Sequence, residues 1–322
     1  MGVRAAAWGV GAAGVIAIAV LVLPVLGEGS MSPLLFVLVA FRALTLLAGL
    51  IGVTVIAIVL LIIKRRKASA LVAALAVVLI VPFVLSVNGG TTTEVPRAGP
   101  SDELRILSWN TGQRDVDDVL MALIQRTRPD IIALPEYFTT LAQGRFVTFA
   151  EENDFSVYGW DGSSATVLIS NRLGAYTLRN DETPAWAGIS LVSDNPSSPS
   201  LIIAHLQRPM LTEGTDLWRQ HIDWVKDLCS TPNVIAVGDF NATTANLGTN
   251  RLASCINASS TLNQRDAGTW PTWMPAALGA QIDHVFAGSG WQPTWFGVLK
   301  PPRTDWSEES DHRPIYAILS RK

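Results

Sequence analysis

Apolar residues crowd the start of this 322-residue chain into three runs, 5–26, 33–63 and 68–87, of which only the second contains a charge, Arg42. A helix crosses the roughly 30 Å hydrocarbon core of a bilayer with about 20 residues. Each run is long enough, so this part of the chain is not expected to fold as a soluble globule. It is expected to form a membrane module over 1–87 with three transmembrane helices. The second run is long enough from residue 43 onward, which lets Arg42 snorkel at the interface. A cleaved signal peptide is the alternative for the first run. Its apolar stretch is longer than the usual 7–15 residues or so, and two further spans follow, so it reads as a retained helix.

Charge separates this module from the rest. Residues 1–100 hold seven basic and two acidic groups, whereas the remaining 222 hold seventeen basic and twenty-five acidic, so the overall −3 describes neither part. Basic residues between spans are retained in the cytoplasm. Lys64, Arg65, Arg66 and Lys67 lie between the second and third runs, and Arg4 precedes the first, while the segment between the first two runs carries only Glu28. Three crossings from a cytoplasmic N-terminus leave everything after the third run outside. Residues 88–101, rich in Gly, Thr and Pro, read as a linker.

Residues 102–322 are long enough for one domain with a core of its own. Strands are expected at 104–109, 130–134, 165–170, 201–206, 233–237, 282–286 and 314–319, and helices at 116–126, 138–152 and 216–229. Their alternation implies a two-sheet α/β sandwich. Polar residues gather at the strand ends: Asn110, Glu136, His205, Asp239 with Asn241, Asp283, and Asp311 with His312. Ligand sites collect where sheet strands end, so these residues can share one pocket. Asp239 and Asn241, two apart, share a face if the backbone there is extended. Cys229 and Cys255 are too few for a Cys-rich metal site, and either a disulfide or two buried thiols fits them. The tryptophans between 270 and 306 suit either an apolar mouth or core packing.

The segments SWN (108–110), PDIIALPE (129–136), AHL (204–206), GDFNA (238–242), GTWP (268–271), QIDHVF (281–286) and SDHRP (310–314) together resemble the endonuclease/exonuclease/phosphatase family. That family includes DNase-type nucleases, inositol-phosphate 5-phosphatases and neutral sphingomyelinases. The resemblance spans the second part of the chain and not the membrane module. It implies a metal-dependent phosphoesterase. Glu136, Asn110 and Asp311 would attend the metal, Mg²⁺ with Mn²⁺ or Ca²⁺ as alternatives, because hard cations take oxygen ligands. His312 would be the general base, with Asp283 fixing its tautomer. Asp239 would orient the water or protonate the leaving group. Asn241 and His205 would contact the phosphate.

The tether favours a lipid head group or envelope phosphoester, met outside the cytoplasm, as substrate. Nucleic acid is less favoured, since backbone binding draws on Lys and Arg and this domain is net acidic. A non-catalytic phosphate-binding module on the same scaffold is the remaining alternative.

Overall fold

The structure is a computed structural model and describes residues 32–87, 89–96, 103–114, 116–137, 145–159, 163–209, 215–248, 252, 254–262, 267–300 and 310–322. The expected first span, 5–26, and residues 138–144 of an expected helix lie outside the described residues.

The second apolar run is not one helix. It divides into α1 (Pro33–Ala40) and α2 (Arg42–Ile62), with α3 (Arg66–Ser86) following. Pro33 and the capping residue Ser32 start α1, the positions where a missing N–H and a side-chain oxygen are useful. No proline or glycine marks the break at Phe41. Its ring packs on Trp270 with centroids 5.6 Å apart, and Thr45 Oγ1 donates back across the break to Leu38 O at 3.0 Å. The break falls beside Arg42, the one charge in the run, and the Phe41–Trp270 contact accompanies it. Among the described residues two helices, α2 and α3, are long and apolar enough to cross a membrane, against the three that the sequence suggests. At 1.5 Å per residue each is about 31 Å long. They pair as a hairpin, with Ser69 Oγ donating to Ala57 O at 2.8 Å and Lys64 and Arg65 at the turn.

The α1 helix belongs to the other part of the chain. Phe36 and Val39 are buried in one cluster with Trp218, Ile222 and Phe240. The Phe36 ring meets Trp218 edge-on at 4.9 Å, and Asn246 Nδ2 donates to Phe36 O at 2.9 Å. The expected linker is also partly fastened: Thr92 N donates to Val298 O and Lys300 N to Thr92 O.

Two six-stranded sheets face each other. The first has the order β11-β12-β1-β2-β4-β3 and the second β5-β6-β7-β8-β10-β9. In chain order the strands are β1 (Leu104–Ser108), β2 (Ile131–Pro135), β3 (Phe155–Tyr158), β4 (Ala165–Ser170), β5 (Tyr176–Leu178), β6 (Gly188–Ser193), β7 (Ser200–His205), β8 (Val234–Asp239), β9 (Cys255–Asn257), β10 (Asp283–Gly288), β11 (Trp291–Val298) and β12 (Ile315–Arg321). Inward-facing residues of both sheets, such as Ile106, Ile131, Val167, Ile203 and Val237, form the central cluster. Helices α4 (Asp117–Thr127) and α6 (Asp216–Leu228) cover the outer faces, burying Leu120 and Leu123, and Trp218 and Ile222, respectively. Shorter helices α5 (Arg145–Glu152), α7 (Thr244–Leu247) and α8 (Ala258–Thr261) complete the domain. Cys229, after α6, and Cys255, in β9, form a disulfide. Trp291 is core, and Trp295 packs on Tyr316.

Candidate functional site

Register sets the site. Strands β1 and β2 are parallel, and so are β7 and β8, so Asn110, Glu136 and the polar ends of β7 and β8 leave their sheets together. His205 lies opposite Asp239, and Asp239 opposite Asp283 on antiparallel β10. Three functional side chains thus stand abreast across three strands. Gly238 permits this: a Cβ there would collide with Ala204 O, and its φ of +132° is one that L-residues rarely adopt. Glu136 and Asn241 also take left-handed backbone, φ 54° and 49°, an uncommon conformation that gathers at functional sites.

Asn241 corrects the extended-backbone expectation, since β8 ends at Asp239. The two side chains converge through a turn. The Asn241 N–H donates to Asp239 Oδ1 at 2.7 Å, and Asn241 Nδ2 donates to Leu206 O at 2.8 Å.

Two carboxylates meet at Asn110, whose Nδ2 donates to Glu136 Oε1 and to Asp239 Oδ2, each at 3.0 Å. Asn110 Oδ1 accepts from the Gly112 N–H. The expected neutral oxygen ligand therefore presents N–H groups to the carboxylates, and ligation requires the amide to turn over. His205 Nε2 lies 3.2 Å from Glu136 Oε1. That hydrogen bond, against the opposing effect of burial and with help from Asn110 and His312, holds the Glu136 carboxyl at about 2.

On the other side, His312 Nδ1 lies 2.9 Å from Asp283 Oδ2, and His312 Nε2 is 3.9 Å from Asp239 Oδ2. Burial disfavours the imidazolium. Asp283, Asp239 and Asp311 outweigh that and push the ring up to about 10. Burial pushes the Asp239 carboxyl up, aided by Asp283 and opposed by His312.

The carboxylates and imidazoles present are donors that a divalent cation can bind. Glu136, His205 and Asp239 offer ligand atoms within 4.8 Å of one another, as do Asp239, Asp283 and His312. Asp283 Oδ1 is buried with no hydrogen-bond partner. Two carboxylate oxygens drawn to one amide repel each other unless a positive charge joins them. Asp311 stands apart from both groups: its Oδ2 accepts from Trp270 Nε1 at 3.0 Å.

Of the eight residues expected at the site, Glu136, His205, Asp239, Asn241, Asp311 and His312 line one cavity of about 560 Å³. Asn110 and Asp283 lie buried behind them. His284 points away to Ala242 O and Asn257. Sequence reasoning missed the supports. Trp109 Nε1 donates to His312 O, and Ser310 Oγ donates to Asn110 O while accepting from the His312 N–H. Both residues sit inside the SWN and SDHRP strings, and that adjacency is the available signal. Val37 and Phe41, from the apolar segment, line the same cavity; no sequence signal points to them.

The model for the Endonuclease/Exonuclease/phosphatase family matches residues 107–312. No curated protein sequence matches the chain. An endonuclease/exonuclease/phosphatase structure from Bacteroides vulgatus superposes with a TM-score of 0.53 at 13% identity, over 68% of this chain and 99% of that one. D. rerio TDP2 complexed with a single-strand DNA product gives 0.51 at 15% identity, over 68% and 100%. TDP2 from Caenorhabditis elegans gives 0.52 at 14%, over 68% and 74%. At such identities these structures are similar in fold alone. It is the family match, running from β1 to the Asp311–His312 pair, that makes this chain a member of the endonuclease/exonuclease/phosphatase family.

Proposed function

We propose that the chain is a membrane-anchored, divalent-metal-dependent phosphoesterase that hydrolyses a lipid head-group or envelope phosphoester outside the cytoplasm. One observation carries the reading. The cavity holding Glu136, Asp239 and His312 is walled on one side by α1, and the chain runs from α1 directly into the apolar hairpin α2–α3. The chemistry and the anchor are adjacent, so substrate is met at the bilayer surface.

Two further features support the topology. Lys64 and Arg65 lie at the hairpin turn, with Arg66 and Lys67 opening α3; basic residues of this kind stay cytoplasmic, and the domain is joined at the other end. The Cys229–Cys255 disulfide suits an oxidising compartment.

In the mechanism, Glu136 and Asp239 would hold Mg²⁺, with Mn²⁺ or Ca²⁺ as alternatives and with His205 beside them. Bound there, the ion supplies neutralisation of the phosphate charge and polarisation of the reacting oxygens. Asp283 fixes the His312 ring through Nδ1 and leaves Nε2 facing the cavity. His312 holds the proton that the reaction moves: neutral, it takes one from water, and as imidazolium it donates to a phosphate oxygen. A cation held by the neighbouring carboxylates would offset their pull on the His312 imidazolium and favour the neutral ring. Asp239, ionised as a ligand, would orient the attacking water beside the ion. Asp311, held by Trp270, and Asn241, on the cavity wall, orient the phosphate.

The test is hydrolysis by the full chain reconstituted in vesicles. Long-chain lipid phosphoesters, single-stranded DNA and a soluble sugar phosphate are compared with Mg²⁺ and with excess chelator. Cleavage of the lipid substrate with Mg²⁺ alone is expected. Cleavage of DNA without lipid would replace the reading by a nuclease. Turnover surviving excess chelator would remove the metal.

A further inference from the structure

The α1 helix does more than join the domain to the hairpin. Its inner face is fixed: Phe36 is 5% exposed and Val39 is fully buried, and Asn246 bonds the Phe36 carbonyl. Its other face is open. Val37 is 45% exposed and projects into the cavity that holds the carboxylates and His312. Phe41, at the break, lines the cavity and is braced by Trp270, which itself bonds Asp311. Trp186, which also lines the cavity, is 62% exposed. The cavity therefore has a charged floor and an apolar wall. Arg42, the next residue, opens α2, whose exposed residues are largely apolar.

We infer that α1 is a built-in wall of the substrate site, where Val37, Phe41 and Trp186 receive the hydrocarbon adjoining the scissile phosphate, making alkyl phosphoesters the preferred substrate class. This rests on the hydrolase reading above. The occupant follows from the two surfaces: a phosphate satisfies the floor, and only an apolar substituent gains by covering the wall. Each methylene taken out of water contributes favourably, so a short alkyl chain is enough to reveal the wall.

The experiment uses the full chain in nanodiscs with Mg²⁺ and two substrates that share one scissile bond, methyl 4-nitrophenyl phosphate and hexyl 4-nitrophenyl phosphate. Wild type is expected to prefer the hexyl ester by at least about tenfold in kcat/KM. In Val37→Asn, on an exposed face where folding is not at stake, and in Trp186→Ala, that preference should fall to about threefold or less. Phe41→Ala should do the same, but its brace on Trp270 makes it the less clean variant. Calorimetric binding of hexyl phosphate against methyl phosphate reads the wall without turnover. A hexyl preference in binding that the variants lose, with no hydrolysis of either ester, supports the wall and removes the hydrolase reading. Turnover with equal use of both esters overturns the wall alone. A preference that persists in Val37→Asn and Trp186→Ala also overturns it.

Discussion

The hairpin and the sandwich are both rich in aliphatic residues and arrange them in opposite ways. In α2 and α3, Ile51, Val55, Ile62, Leu71, Val78 and Leu85 are each more than half exposed, whereas in the sheets Ile106, Ile131, Ile203 and Val237 are fully buried. Polar atoms follow the same inversion. The sandwich concentrates carboxylates, imidazoles and amides at one end of its strands, while the hairpin keeps its charges at its turn and at Arg42. Burial of apolar area drives the sandwich together in water. The same force would not hold the hairpin's outer surface, which suits an apolar solvent. α1 falls on the sandwich side of this divide although its composition belongs with the hairpin.

The largest effect separates chemistry from anchoring. His312→Ala should slow kcat by about 10²–10⁴-fold, the usual contribution of a positioned acid or base, and leave partitioning into vesicles unchanged. An unchanged rate would remove His312 as the acid or base of the reaction. Asp283→Asn should share most of that loss, and the double variant should be little worse than His312→Ala, because residues acting as one unit are non-additive.

Next comes the placing of α1. Phe36→Ala removes a ring packed on Trp218 and should cost about 3–5 kcal/mol of domain stability. Ile58→Ala, at an outward position of the hairpin, should stay within about 0.5 kcal/mol. Denaturant unfolding of the full chain in mild detergent, followed by tryptophan fluorescence, compares them. Equal costs would put α1 with the hairpin. The Cys229–Cys255 bridge closes a loop of 26 residues in sequence separation, so Cys255→Ser should cost about 2–4 kcal/mol in the same assay.

These effects also mark where the sequence is legible. The order of the strand-end strings locates β1, β2, β7, β8, β10 and β12, because each couples a buried apolar run to a polar terminus. Edge and short strands such as β3, β5 and β9 escape it, since three or four half-buried residues carry no period. α1 reads as part of a span because its eight residues, PLLFVLVA, are all apolar. What detaches it is Trp218, Asn246 and Trp270, which stand far along the chain. Asp239 reads as a group that orients the water or protonates the leaving group, and its approach to Glu136 through Asn110 depends on the meeting of two sheets that no local pattern encodes.

A pH scan sharpens the polar side of the comparison. In metal-free protein the His312 ring lies above its ordinary 6.5, at about 10. Its imidazolium therefore contributes stability that is full below pH 6.5 and is lost as pH rises through about 10. Glu136, held at about 2 against 4.5, contributes stability present above pH 4.5 and lost as pH falls through 2. One proton sets a slope of at most about 1.4 kcal/mol per pH unit. Thermal unfolding in chelator should show an alkaline decline that His312→Gln lacks; a decline of equal size in the variant would assign it to other groups.

The smallest effect tests the hairpin's interior. Ser69 Oγ donates to Ala57 O at 2.8 Å, and Ser69 is buried between the two helices. Ala57 O can also accept within its own helix, so Ser69→Ala leaves no orphaned carbonyl. Interhelical hydrogen bonds of this kind in lipid average about 0.6 kcal/mol, because the separated helices find other partners. Ser69→Ala should therefore shift hairpin association by about that amount, measured as association of the separated α2 and α3 peptides in bilayers. The domain core offers the contrast. There Trp218 Nε1 donates to the carbonyl of Phe240 at 3.0 Å, and losing that donor leaves a buried carbonyl without its partner, at about 1–3 kcal/mol. A Ser69→Ala cost as large as the domain's would mean that the hairpin packs as a water-soluble core does, and the inversion between the two regions would fail.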